Sequence, residues 1–161
     1  EGRVVSFRQC FIFLTCNQGA AEIEQALQHQ PDISMATLRP QVYDALLRSF
    51  APALLARVNI IPYLPLNLEA LTAIATLNLE RLSQRLLAQT GAALVMRGDI
   101  AQWIAQRVAG HPNRGRAVEE LLRQAVLPVI GNEVLRRRRE AQPLCETCLE
   151  VSDAELSIAF V

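Results

Sequence analysis

Apolar positions along the chain change their spacing several times, and each change marks an element. Val4 to Phe7 followed by Cys10 to Thr15 is a run rich in Phe and Ile that ends at Asn17-Gln18-Gly19. A run of this length without alternation suits a strand covered on both faces, as in a parallel sheet, and a lone central strand implies neighbours. Ala20 to Gln30 predicts a helix, Pro31-Asp32 opens a loop, and Ser34 or Thr37 can cap the helix that carries Val42, Leu46 and Leu47. Ser49 to Leu55 predicts a short turn around Pro52, and Arg57 precedes a second apolar strand, Val58 to Tyr63. Pro62 and Pro65 then punctuate the chain and give the boundary between two subdomains, 1–65 and 66–161.

Beyond that boundary the period becomes helical. Asn67 is an N-cap for a helix whose Leu68, Leu71, Ala75, Leu79, Leu82 and Leu86 recur in steps of three and four, ending near Gly91. A short strand over Ala92 to Met96 and a helix from Asp99, carrying Ile100, Trp103, Ile104 and Val108, supply apolar surface to cover that stripe. The loop 110–115 leads to a last helix starting near Arg116, in which Pro128 removes a backbone hydrogen bond and is expected to bend or break the helix. Leu144 to Val151, a turn at Ser152-Asp153, and Glu155 to Val161 predict a hairpin. The fold class is therefore mixed α/β and mainly helical.

Composition narrows the function. The chain has 161 residues, 51% of them hydrophobic and 20% charged, and no net charge, the profile of globular rather than disordered protein. All 16 basic residues are Arg. Without Lys there is no lysine Schiff-base chemistry and no intact Walker A loop, whose Lys reaches the outer phosphates. The 16 acids cancel the 16 Arg residues, so nucleic acid is a poor partner. No apolar stretch approaches the roughly 20 residues of a membrane span, and Cys10 to Leu14 is too short for a secretory signal core. Four Cys fit no disulfide scaffold, which points to a reducing, cytoplasmic setting. The sequence starts at Glu1 rather than Met, consistent with processing or truncation of a longer protein.

Arg114-Gly115-Arg116 is the sharpest chemical feature. Cations at a helix start oppose the positive end of the dipole at a cost of roughly 0.3–1 kcal/mol, relieved by a bound anion or by Glu119 and Glu120. Asn17 after the first strand reads as a turn residue and Arg57 as a surface cation. Together, an amide at a strand end and positioned Arg residues are parts that a phosphoryl-transfer site uses. Cys145-Glu-Thr-Cys148 is a weak metal or redox signal, because alternation along a strand sends the two thiols to opposite faces. Arg136 to Arg139 fits a helix C-terminus with a solvated face.

These residues resemble the C-terminal part of the second AAA+ module of Clp/heat-shock unfoldases, most strongly the ClpV branch of type VI secretion ATPases. Gly2-Arg-Val-Val-Ser-Phe-Arg with Phe11-Ile-Phe-Leu-Thr-Cys-Asn17 is similar to the strand into sensor 1, with Cys16 where Ser is usual. Phe50-Ala-Pro-Ala-Leu-Leu-Ala-Arg57 resembles the arginine-finger segment, Ile60 to Leu66 the strand that follows in ClpV, and Arg114-Gly115-Arg116 sensor 2, commonly Gly-Ala-Arg or Gly-Gly-Arg.

The resemblance implies the end of an AAA+ large subdomain over 1–65, with two strands plus helices, and the α+β lid subdomain over 66–161. Walker A and Walker B would lie upstream of Glu1. It further implies that Asn17 orients the attacking water, that Arg116, with Gly115 beside it, meets the phosphates of its own subunit's ATP, and that Arg57 reaches the neighbour's site in trans. The intact parent would need ATP and Mg, form a homohexamer and thread a protein substrate, the contracted secretion sheath in the ClpV case. A general ClpB-like disaggregase and an autonomous assembly module are the alternatives. The chain alone would neither hydrolyse ATP nor bind it tightly, would hold no metal, and would insert in no membrane.

Overall fold

A computed structural model describes residues 6–111, 113–152 and 154–161. Residues 1–5 of the first apolar run and sensor-like motif, Pro112 and the hairpin's Asp153 lie outside the described residues. The chain forms two compact units, Glu1–Pro65 and Leu66–Val161.

Among the described residues the first unit holds three helices. α1 (Ala20–His29) follows Gly19, whose φ of 86° starts the turn into the helix. α2 (Met35–Leu47) is capped by Ser34, whose Oγ accepts the Thr37 N–H at 3.2 Å, and α3 (Pro52–Leu55) is a single turn opened by Pro52. Ile23, Leu38, Val42, Leu46 and Leu55 meet as its core. The two strands expected around 10–15 and 58–63 are corrected: neither segment is in a ladder. Phe11 is 94% exposed and Phe13 86%, so the run is bare rather than doubly covered. A strand needs a partner for its N–H and C=O groups, and every paired strand among the described residues belongs to the second unit.

In the second unit α4 (Leu68–Thr90) runs from its Asn67 cap, which accepts the Ala70 N–H at 2.8 Å, to Gly91 at φ 77°. Its Leu71, Ala75, Leu79 and Leu86 are buried, while Leu68 is exposed. β1 (Ala93–Arg97) and α5 (Ile100–Val108) follow, with Asp99 capping α5 through the Gln102 N–H at 3.0 Å. α6 (Arg114–Leu121) continues through a wide π turn (Leu122–Val126) into α7 (Leu127–Arg139). The disturbance expected at Pro128, a bend or a break, is therefore a widened turn just before it, after which the helix resumes. The preceding turn widens until Leu127 N–H bonds Leu122 O, and Pro128 falls in the first turn of α7, where its missing N–H is tolerated.

β2 (Glu146–Ser152) and β3 (Glu155–Phe160) form the hairpin. β2 is the central strand, parallel to β1 and antiparallel to β3. Leu149 pairs with Met96 on one side and Ile158 on the other, and its side chain enters the core that α4, α5 and α6 line.

The Arg run is more committed than a solvated face. Glu133 receives hydrogen bonds from Arg136 at 2.7 and 2.8 Å and from Arg137 at 2.8 Å, and Arg137 also donates to Pro143 O at 2.7 Å. Arg138 reaches Gln89 O at 3.5 Å at the end of α4. The Arg136 and Arg137 hydrogen bonds hold the Glu133 carboxyl at about 2, below its ordinary 4.5. Its stabilising contribution is complete above pH 4.5 and is lost as pH falls towards about 2. Glu133→Gln should lower stability at neutral pH and flatten the acid limb over that window, as read by denaturant titrations at stepped pH. Parallel acid limbs would refute a role for this carboxylate.

Candidate functional site

The start of α6 is built from Asn113 to Arg116. Asn113 makes no side-chain cap; its own N–H donates to His111 Nδ1 at 3.1 Å. The Arg114 N–H goes instead to His111 O at 3.1 Å and the Arg116 and Ala117 N–H groups to Asn113 O at 2.8 and 3.0 Å, so among the described residues Gly115 N–H is the helix-start donor without an acceptor.

The two Arg residues separate here. Arg114, half-buried, donates through Nη1 to Leu66 O at 3.4 Å. Arg116 is exposed, its N–H bonds Asn113 O at 2.8 Å, and among the described residues no group engages its guanidinium. Glu120 does not offset it, because that carboxylate faces along the helix to Gln124 at 2.9 Å and Arg123 at 3.8 Å. A free cation on a helix start without a side-chain cap can hold an anion beside the Gly115 N–H, at the positive end of the dipole.

Gly115 sits between them for a packing reason that its sequence position does not reveal. A Cβ there would stand 3.1 Å from Leu66 Cδ1 and 3.8 Å from Ile74 Cδ1, so the glycine lets α6 lie close on the first turns of α4. Leu66 Cδ1 is the end of a flexible side chain and can yield by a few tenths of an ångström. Gly115→Ala should thus be near neutral, the crowding offset by up to about 1 kcal/mol of helix propensity. Gly115→Leu should destabilise by about 1–3 kcal/mol. Urea melts distinguish the two, and an Ala variant as unstable as the Leu variant would show that the contact cannot relax.

In the first unit Asn17 is exposed in the turn before α1, and its carbonyl accepts the Ala20 N–H at 3.3 Å. Its placement depends on Gly19, which is buried, left-handed, and so close to α2 that a Cβ would lie 3.2 Å from Val42 Cγ1. In the sequence Gly19 marks only the end of an apolar run; its pairing with Val42 has no signal there beyond the Asn-Gln-Gly turn. Arg57 stands just after α3, whose Leu55 is 5% exposed in the core. The Arg57 N–H bonds Leu54 O at 2.9 Å, while its exposed guanidinium has no partner among the described residues. Beside it Arg39, Tyr43, Val58, Asn59 and Ile60 line an open groove.

Gly115 and Arg116 are thus neighbours on one helical turn, and Asn17 and Arg57 occupy separate segments of the other unit. Cys145 precedes β2 and is exposed, whereas Cys148 within β2 is buried. Among the described residues, no three His, Cys, Asp or Glu side chains converge and no helix is long and apolar enough to cross a membrane.

Residues 66–144 match the family model of the C-terminal, D2-small domain of ClpB protein. Along 99% of its length the chain is similar to the AAA+ ATPase ClpV1 of Pseudomonas aeruginosa, with 31% identity over 165 residues that cover 18% of that protein. The chaperone protein ClpB of Yersinia enterocolitica is 32% identical over 142 residues, covering 84% of the chain and 15% of the relative. ClpB of Meiothermus ruber is 33% identical over 108 residues, 66% of the chain and 12% of the relative. The chain spans less than a fifth of the length of these relatives.

Proposed function

Because the chain belongs to the Clp family of AAA+ proteins, with a D2-small domain over residues 66–144, we propose that it is the C-terminal part of the second AAA+ module of a ring-forming, ATP-hydrolysing protein unfoldase. Residues 1–65 are then the end of the large subdomain and 66–161 the lid. Arg116, with the amide of Gly115, meets the phosphates of the same subunit's ATP. Asn17 orients the attacking water, and Arg57 reaches across to the neighbour's nucleotide. These groups supply N–H donors and cations, chemistry that fits phosphate oxygens; Mg takes oxygen ligands, which we assign to the Walker segments of the same polypeptide.

The observation that carries this reading is Arg116: an exposed, unengaged cation on the third residue of a helix whose first residues lack a side-chain cap, within the segment that matches the D2-small family. In the protein expressed from its complete reading frame, Arg116→Ala should weaken nucleotide binding about tenfold, in line with the loss of one charge-assisted contact. Wild-type affinity together with wild-type turnover in that variant would sink the assignment. The 161-residue chain alone should neither hydrolyse ATP nor bind it tightly, and micromolar binding by calorimetry would contradict the division of labour proposed here.

The similarity to ClpV1 extends over 99% of the chain against 84% for a ClpB relative, which favours a cytoplasmic homohexamer acting on contracted secretion sheaths over a general disaggregase. Disassembly of sheaths supports the first, and reactivation of aggregated protein with no effect on sheaths supports the second. An autonomous assembly module is the remaining reading. It requires the chain alone to self-associate, so a concentration-independent monomer in light scattering removes it.

A further inference from the structure

Arg114 stands two residues before Arg116 yet does a different job. Its Nη1 donates to the carbonyl of Leu66, which is the residue where the second unit begins and which directly precedes the Asn67 cap of α4. Gly115, the next residue, brings the helix backbone against the Leu66 side chain. The first turn of α6 is therefore held to one point of the chain in two ways, by a long hydrogen bond of 3.4 Å to its backbone and by packing on its side chain. Helical geometry separates residues 114 and 116 by about 200° around the axis, so one cation is turned to Leu66 while the other is left exposed.

Resting on the function proposed above, we infer that Arg114 is a positioning residue. By holding the Leu66 carbonyl it fixes the first turn of α6, and with it Arg116, against the start of α4. A phosphate drawn to Arg116 then acts on the segment by which the chain passes into the second unit, and the orientation of Arg116 depends on a residue that touches no nucleotide. An interaction of this kind acts on geometry in the reacting complex, so it is read in kcat more than in affinity.

The test compares Arg114→Met, which keeps an apolar stem for packing but has no donor, with Arg114→Lys, which restores one, both in the protein expressed from its complete reading frame. Arg114→Met should speed amide exchange across residues 67–71, leave the ATP dissociation constant within about twofold, and lower kcat about tenfold. Arg114→Lys should recover a substantial part of kcat. An unchanged kcat with faster exchange would reduce the contact to a purely structural one and overturn the inference, as would unchanged exchange. A loss of ATP affinity as large as that of Arg116→Ala would make Arg114 a phosphate ligand instead. If the unsubstituted protein neither binds nor turns over ATP, the proposed function itself fails and this inference falls with it, an outcome separate from any that the variants produce.

Discussion

Arg57→Ala, introduced into the protein expressed from its complete reading frame, is expected to lower ATP turnover at least about 10³-fold, the lower bound for removing an arginine finger in phosphoryl-transfer enzymes. Nucleotide affinity should stay close to that of the unsubstituted protein, because in the function proposed above the guanidinium acts on a neighbour's site rather than its own. The structure gives this variant an unusually clean background. Leu55 is buried two residues earlier and Pro52 opens the single turn of α3, so the backbone before residue 57 is held by packing. The Arg57 side chain, by contrast, is exposed and makes no hydrogen bond or ion pair among the described residues that folding could lose. The melting temperature should therefore not move.

Mixing experiments give the proposed trans character its own readout. Arg57→Ala subunits titrated into unsubstituted rings should depress turnover in proportion to the interfaces they spoil. Loss of binding with unaltered turnover per bound nucleotide would reject the assignment, and so would a fall in melting temperature large enough to account for the lost activity.

Much of the second unit was legible because its elements are bounded by local chemistry. Asn67 and Asp99 announce helix starts by the same device, a side-chain oxygen that accepts the N–H three residues on, at 2.8 and 3.0 Å. Gly91 ends α4 with a left-handed φ, and the three- and four-residue spacing of Leu71, Ala75 and Leu79 marks the buried face. The segment 10–15 misled for a physical reason. Apolar residues record suitability for a covered strand, whereas the strand itself requires a partner, and none is present among the described residues of the first unit. Pro128 was legible as an interruption but not in its form, which depends on the preceding turn: that turn widens and places the ring at a helix start. At the site, the spacing located the Arg pair and the resemblance singled out Arg116, but the tie that Arg114 makes was not legible. Which Arg is tied to Leu66 and which is free follows from their positions around α6 and from the glycine that lets α6 approach α4.

Thr147 and Leu149, two residues apart in β2, should respond to substitution with opposite signs. Both are fully buried at 0% exposure, and alternation along the strand places them on one face. Leu149 lies between Met96 and Ile158 in the middle of the sheet and packs in the unit's main cluster. Leu149→Ala removes that apolar volume and leaves a cavity that a sheet bonded on both sides cannot close, so a loss of about 3–5 kcal/mol is expected. For a unit of this size that is a large share of the roughly 5–15 kcal/mol available to a domain, and the midpoint should fall by more than about 10 °C. Thr147 carries the one buried side-chain polar atom without a partner among the described residues, its Oγ1. Thr147→Val replaces that hydroxyl with a methyl, keeps the β-branched shape that suits a strand, and relieves a desolvation cost of about 1–3 kcal/mol. The valine variant should therefore unfold at higher urea than the parent, and the alanine variant at much lower. A destabilised Thr147→Val would mean that a buried water holds the hydroxyl in solution. A Leu149→Ala variant within 1 kcal/mol of the parent, on the order of a surface substitution, would mean that the sheet is not packed against the helices as a single cooperative core.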